Sequence, residues 1–276
     1  MSRNILLLGS TGYLGSKIKA QLRNQYSIFE LNRKEIQALD FNQNKLLFED
    51  VTFHSFINTI IEYQDSNIIT DIIKSNYLLS FEILNLINKS KKEFKIFHFD
   101  SFYSKFYNFD ILSSYLLSKK NLIEWSKIYH HKNKEVTTFI LRLEHIIGPK
   151  ENTKKFNGWL ISKLKNNETI ELGPCDHFFD FIHIDDIVKA VILLIDTEKF
   201  KNTFNYIDVG SGKNYQLKTF VKNLKSKLGS SSKIIFNKID NGDSFKNKSS
   251  VANSRELIDL GWCPKSDLNE IIDSIL

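Results

Sequence analysis

Two groups of residues in this chain have the types and spacing for chemistry. Tyr115 and Lys119 stand four apart, which on a helix puts them on one face about 5–6 Å from each other. An ammonium that close biases a phenol toward its ionised form, so the pair can exchange protons with a substrate oxygen. The chain also opens Asn4-Ile-Leu-Leu-Leu8-Gly9-Ser-Thr11-Gly12-Tyr13-Leu14-Gly15. Here the first glycine permits a tight turn, the second lets backbone approach a pyrophosphate, and the third lets helix and strand pack closely. A glycine loop and a Tyr-x-x-x-Lys pair in one chain point to a nicotinamide-dependent enzyme.

Elements of a particular kind must position these groups. Apolar runs of strand length alternate with helix-length periodic segments through the first half, the pattern of a parallel sheet covered on both faces. Strands are expected at Asn4–Leu8, Ser27–Leu31, Phe53–Asn58, Lys95–Phe99 and Val136–Leu143. Between them, helices are expected from about Tyr13 to Asn24, over Asn44–Asp50, and over Tyr115–His131. A long helical stretch carries Ile69, Ile72, Ile73, Tyr77, Leu78, Phe81, Leu84 and Ile87 on its expected buried side. This is βαβ repetition. Beyond Gly148-Pro149 the pattern loosens, with a strand at Phe178–Ile184, a helix at Asp185–Ile195 and a polar loop at Asn237–Ser250. The fold expected is α/β, a Rossmann-type doubly wound parallel sheet over residues 1–148. A smaller C-terminal substrate-binding lobe is expected over 149–276, with some later segments returning to the first domain.

Composition narrows the class. The chain has 276 residues, 42% hydrophobic and 25% charged, with a net charge of +6 from 38 Lys plus Arg against 32 acidic residues. The lysines are scattered, without a basic block beside aromatic residues, so no nucleic-acid partner is expected. Two cysteines in unrelated contexts, Cys175 and Cys263, fit a reduced compartment better than a disulfide framework. The first apolar run leads straight into glycines, so it reads as a strand and not a signal peptide. No stretch approaches the roughly 18 apolar residues of a membrane span, and a cytoplasmic protein is expected. His130-His131, His183 with Asp185 and Asp186, His54 and His98 lack metal-ligand spacing. They read as solvated or core residues, and no metal site is expected.

The end of the second strand bears on which dinucleotide binds. An acidic residue there would bond the ribose 2′-OH of NAD. This chain reads Phe29-Glu30-Leu31-Asn32-Arg33-Lys34, with Asn32 at the acidic position and two cations after it. That set suits a 2′-phosphate, so NADPH is expected in preference to NADH. A competing reading puts Glu30 on the ribose and needs a two-residue shift.

Taken together, these residues resemble the extended short-chain dehydrogenase/reductase, or NAD-dependent epimerase/dehydratase, family over nearly the whole chain. Gly9–Gly15 is similar to its cofactor loop and Tyr115/Lys119 to its catalytic pair. Phe97-His-Phe-Asp-Ser101 resembles its fifth strand, which ends in a catalytic hydroxyl. Leu141-Arg-Leu-Glu-His145-Ile-Ile-Gly-Pro149 is similar to its Arg-x-x-Asn-x-x-Gly-Pro segment, and Asp180-Phe-Ile-His-Ile-Asp-Asp186 to its substrate-lobe segment. Val209-Gly-Ser-Gly212 and Leu260-Gly-Trp262-x-Pro264 resemble later landmarks. Within the family, Asp100-Ser-Phe-Tyr-Ser-Lys105 and the segment from Tyr115 look most like nucleotide-sugar 4-ketoreductases of the CDP-abequose and CDP-paratose synthase type.

The resemblance implies NADPH-dependent reduction of a 4-keto-6-deoxy nucleotide sugar for a surface polysaccharide, by a homodimer. Tyr115 would be the general acid, Lys119 would depress its pKa and bond the nicotinamide ribose, and Ser101 would hold the carbonyl. Ser104, Ser113 and Ser114 are rivals to Ser101. The implied cofactor set is Gly9, Thr11, Gly12, Tyr13, Leu14, Gly15, Asn32, Arg33, Asp40, Phe41, Asn58 and Lys119. The implied substrate set is Ser101, Tyr115 and His145. Three positions depart from the family: Phe179 stands where an Arg is frequent, His145 replaces an Asn, and Asn58 stands where small residues are common. The alternative is an NAD-retaining epimerase or dehydratase. Dehydration needs a carboxylate beside the catalytic hydroxyl, and strand alternation turns Asp100 away from Ser101.

Overall fold

The computed structural model describes residues 3–31, 50–62, 69–89, 94–106, 113–236 and 249–276. Strand β1 (Asn4–Leu8) is apolar at four successive positions because it has neighbours on both edges and cover on both faces. It pairs in parallel with β2 (Ser27–Leu31) on one side, Leu8 opposite Leu31. On the other side it pairs in parallel with β4 (Ser55–Asn58), Leu8 opposite Asn58. β6 (Lys95–Ser101) pairs in parallel with β4, and β7 (Thr137–Leu143) and β11 (Phe204–Val209) complete the six-stranded order β11-β7-β6-β4-β1-β2. The expected doubly wound α/β sheet is the one found. The chain leaves β1 for β2 and then returns across β1 to β4. This reversal opens a crevice at the carboxyl ends of β1 and β4, where such sheets bind ligands.

Helix α1 (Tyr13–Leu22) follows the glycine loop. α2 (Ile69–Ile73) continues through a π-helical turn, Lys74–Leu78, into α3 (Leu79–Leu86). The π turn adds a residue to one turn and rotates everything after it, which corrects the buried face expected from sequence. Ile72, Asn76, Leu79, Ile83, Leu84 and Ile87 are buried, while Ile69 and Leu78 are exposed. The expected strand over Phe53–Asn58 is also broken at His54, into β3 (Thr52–Phe53) and β4. β3 pairs with β5 (Asn88–Lys89). The expected helix over Asn44–Asp50 lies outside the described residues except for its last position. α4 (Ser113–Lys132) carries Tyr115 and Lys119.

The chain divides into two compact units, Met1–Arg142 with Val188–Ile207, and Leu143–Ile187 with Asp208–Leu276. The second contains the short strand β9 (Ile170–Leu172) and a three-stranded sheet of β8 (His145–Ile147), β10 (Phe178–His183) and β12 (Asn214–Gln216), in the order β12-β10-β8. Its core gathers Ile147, Leu160, Phe181, Phe220, Leu224 and Ile271. Asp180 is fully buried there and accepts from the Ser211 backbone N–H (2.7 Å) and hydroxyl (2.6 Å) and from the N–H groups of Gly212 (3.0 Å) and Ala252 (3.1 Å). Burial raises its carboxyl pKa and those four donors oppose the rise. Asp186 is buried; its carboxylate accepts from Lys265 N at 2.9 Å, and its carbonyl accepts from the Trp262 indole at 2.8 Å.

A buried cation closes the first unit at the end of the strands away from the crevice. Lys95 Nζ donates to the carbonyls of Leu194 (3.2 Å), Ile195 (2.7 Å) and Thr197 (2.6 Å), at the carboxyl end of α5 (Ile184–Asp196). Those oxygens have no further turn of helix to bond, and the macrodipole favours a cation beside them. Lys95→Met keeps the stem and strands the carbonyls. It is expected to cost about 1–3 kcal/mol of stability, seen as a lower urea midpoint at an unchanged slope; an unaltered midpoint would refute this role.

Candidate active site

Gly9 has φ +77°, a conformation that L side chains rarely adopt, and a Cβ there would lie 2.6 Å from the Thr59 hydroxyl. At Gly15 a Cβ would lie 2.1 Å from the Gly9 carbonyl oxygen, far inside contact distance. Gly12 N–H donates to that same carbonyl at 2.9 Å and caps α1 without a side chain. A helix start of this kind offers backbone donors and a positive dipole end to an anion. Opposite the loop, the Thr59 hydroxyl donates to the carbonyls of Leu8 (2.7 Å) and Gly9 (3.1 Å).

These segments wall a cavity of about 360 Å³, bounded by Gly9–Gly12, Leu31 at the end of β2, Thr59–Glu62 after β4, and Asp71, Lys74, Ser75 and Leu79 of the helical stretch. The backbone donors at one wall, on a glycine loop packed too closely on Thr59 and on itself to carry side chains, fit a dinucleotide. Thr11 lines the cavity; Tyr13, Leu14 and Gly15 begin α1 behind the loop. Asn58, expected at the cofactor, donates to Ser80 Oγ (2.5 Å) and accepts from Ile60 N (2.9 Å), which fixes the turn out of β4. Glu30 pairs with Lys19 at 2.7 Å. Burial would raise its carboxyl pKa, but hydrogen bonds from Lys19 and Ser10, with the Lys19 charge, hold it below the usual range. Asn32, Arg33, Asp40 and Phe41 lie outside the described residues.

The Tyr115 and Lys119 side chains are both buried. Lys119 Nζ donates to the Phe99 carbonyl at 2.7 Å and lies 5.8 Å from the centre of the Tyr115 ring. Burial lowers the ammonium from its ordinary 10.5 to about 8, with the Asp100 charge opposing the fall. Ser101 ends β6, and its Oγ accepts from Tyr103 N at 3.3 Å. Of its rivals, Ser104 donates to Asp100 at 2.6 Å. The Ser113 side chain lies outside the described residues, and Ser114 is half-buried.

Sequence reasoning missed Asn76. Its side-chain nitrogen donates to Ser118 Oγ (2.8 Å) and Glu62 O (3.0 Å), and its oxygen accepts from Glu62 N (2.7 Å). Ser118 in turn donates to the Tyr115 carbonyl at 2.6 Å. One buried amide thus straps α4 to the cavity wall, and an Asn inside an apolar helix face was the available signal. His98 differs from the satisfied core residue expected: its Nδ1 has no partner among the described residues. Burial first, and the Lys119 charge second, lower its pKa to about 3. In the second unit His145 stacks on Phe179, ring centres 4.9 Å apart, and burial with the Lys155 charge lowers its pKa to about 4. Among the described residues no His, Cys, Asp and Glu cluster could hold a metal, and no helix is long and apolar enough to cross a membrane.

Residues 5–210 match the NAD dependent epimerase/dehydratase family, and the chain belongs to that family. It is therefore an NAD(P)-dependent enzyme. CDP-abequose synthase of Salmonella muenchen is 29% identical over 289 aligned residues, spanning 100% of this chain and 98% of that protein. CDP-abequose synthase of Salmonella typhimurium (strain LT2) is 26% identical, over 99% of this chain and 97% of its own. Among solved structures, RMD from Pseudomonas aeruginosa complexed with NADPH superposes with a TM-score of 0.77 at 14% identity, over 99% of this chain and 98% of that one. UDP-N-acetylglucosamine 4-epimerase from Methanobrevibacter ruminantium M1, in complex with UDP-N-acetylmuramic acid, does so at 0.79 and 17%, over 99% and 97%. Both structures share the fold.

The depressed Lys119 gives a pH test. The unfolded chain holds this proton up to about 10.5 and the folded chain only to about 8. Between those values the unfolded state binds more protons, so stability rises with pH. Relative to Lys119→Met, the wild type is expected to gain up to roughly 3 kcal/mol across that window in urea unfolding. A difference that stays flat with pH would rule out the burial.

Proposed function

We propose that this enzyme reduces the 4-keto group of a 4-keto-6-deoxy nucleotide sugar, using NADPH, in a cytoplasmic route to surface polysaccharide. The observation that carries the reading is the buried Lys119 behind Tyr115, tied to the backbone two residues before Ser101. The full-length relatives named CDP-abequose synthase support a CDP-linked sugar in particular. The sequence Asn32-Arg33-Lys34 supports the 2′-phosphate of NADPH.

Bound NADPH supplies a hydride to the carbonyl carbon. The chain's own work is on the oxygen. Ser101, whose Oγ already accepts from Tyr103 N, keeps its hydroxyl proton to donate to the substrate carbonyl. Tyr115 gives its proton to the oxygen as charge develops there, and solvent then reprotonates it. The Lys119 ammonium lowers the cost of the transient phenolate. Asp100 supports reduction over dehydration, since both its oxygens accept from other side chains, Ser104 and Tyr206. No carboxylate from β6 is therefore offered beside Ser101. In the second unit, the half-buried His145 and Phe179 are the residues we assign to the substrate, binding by ring contact where the family often uses an Arg.

A homodimer formed through α4 belongs to the same reading. Leu117, Trp125 and Ile128 are exposed along that helix, and Leu78 of the π turn is exposed as well, an apolar patch that a second copy would cover.

Two experiments test the proposal. Purified protein with CDP-, dTDP- and GDP-linked 4-keto sugars should oxidise NADPH faster than NADH with at least one of them. Tyr115→Phe should lower kcat by about 10²–10⁴-fold. Tightly bound NAD with no NADPH consumption on any of the sugars would favour the epimerase or dehydratase alternative instead. In sedimentation velocity, Trp125→Lys should convert a dimer to a monomer, and a monomeric wild type would remove the pairing.

A further inference from the structure

We infer that Asp100 is a positioning residue, the buried counter-charge that keeps the Lys119 ammonium charged and seated behind Tyr115. The geometry starts from strand alternation. Asp100 points to the face of β6 opposite Ser101, and that is the face α4 covers. His98, two residues earlier on the same side, packs against Phe81, which meets Tyr129 of α4. Lys119 enters from the same helix and donates to the carbonyl of Phe99, the residue immediately before Asp100. Turning away from the catalytic hydroxyl therefore turns Asp100 toward the catalytic lysine.

The carboxylate is built in rather than incidental. Asp100 is buried, with Oδ1 accepting from Ser104 Oγ at 2.6 Å and Oδ2 accepting from the Tyr206 hydroxyl. The Arg142 guanidinium lies over the Tyr206 ring, 4.9 Å from its centre. Burial and the Asp100 charge push the Tyr206 pKa up, so its hydroxyl stays a donor at any working pH. Among the described residues, both donors to the carboxylate are neutral hydroxyls.

Lys119 needs an anion. A buried ammonium held only by a neutral carbonyl carries a large desolvation penalty, and a nearby carboxylate offsets part of it. Among the described residues, the titratable groups around Lys119 are Tyr115 on its own helix and His98 and Asp100 on β6. Burial keeps His98 neutral, and among the described residues Asp100 is the anion whose charge acts on Lys119. Without it the lysine would lose its proton at lower pH and could no longer assist the phenol.

The inference deepens the proposed function, since Lys119 matters only through Tyr115, but its test reads the lysine directly. Protein labelled with [ε-13C]lysine is titrated by NMR, with Lys119 identified as the resonance missing from Lys119→Met. The expected midpoint in the wild type is about 8. In Asp100→Asn it should fall by about one unit or more. Tyr206→Phe, which keeps the carboxylate, should move it far less. Should the amide of Asp100→Asn clash with the two hydroxyl donors and prevent folding, Asp100→Ser gives the same comparison. An unchanged midpoint on removing the carboxylate overturns the inference, and so does an equal fall in Tyr206→Phe. A shifted lysine in a protein that reduces no keto sugar would leave this inference standing and remove the proposed function. An unshifted lysine in an active reductase would do the reverse.

Discussion

The site depends on one close approach at the switch point of the sheet. The Thr59 hydroxyl bonds two successive carbonyls, of Leu8 and Gly9, at the end of β1. Gly9 and Gly15 leave no room there for a side chain. This contact joins the carboxyl ends of β1 and β4 and sets the angle at which α1 leaves the loop. The cavity exists because the chain reverses its winding between those two strands, and the glycines let its loop wall pack directly against Thr59.

Around this frame the first unit holds several buried polar groups that a purely structural core would avoid. Lys119, Asp100, His98 and Asn76 are all buried within it. Each has a desolvation cost, and only some of that is recovered through hydrogen bonds. They cluster between α4, the π turn and the end of β6, around the buried Tyr115. The buried Asp180 of the second unit differs in kind. Four donors saturate it, and it ties loops together with no titration to perform.

The π turn shows how a local irregularity serves the site. By adding a residue at Lys74–Leu78, the chain turns Asn76 inward to reach both Glu62 and Ser118. It also turns Lys74 and Ser75 to the cavity wall. A regular helix would place different residues on those faces, and the strap between the cavity and the catalytic helix would be lost.

Much of this was legible in the residues alone. Unbroken apolar runs specify buried parallel strands, and a glycine at each third position after the first of them specifies a loop that backbone must approach closely. A spacing of four puts Tyr115 and Lys119 on one helix face. These are local rules, decided by sterics and by period, so the sequence by itself determined the fold class and the placing of Tyr115 and Lys119 together on one helix. The buried face of residues 69–86 was misread because a π turn has no clear periodic signature. The partners of Thr59, Asn76 and Tyr206 were not readable, because they lie 14 to 106 residues away. Alternation showed that Asp100 faces away from Ser101. Only the tertiary structure decided that this direction meets Ser104 and Tyr206, because the surroundings of a buried group are set by whichever distant segments pack against it.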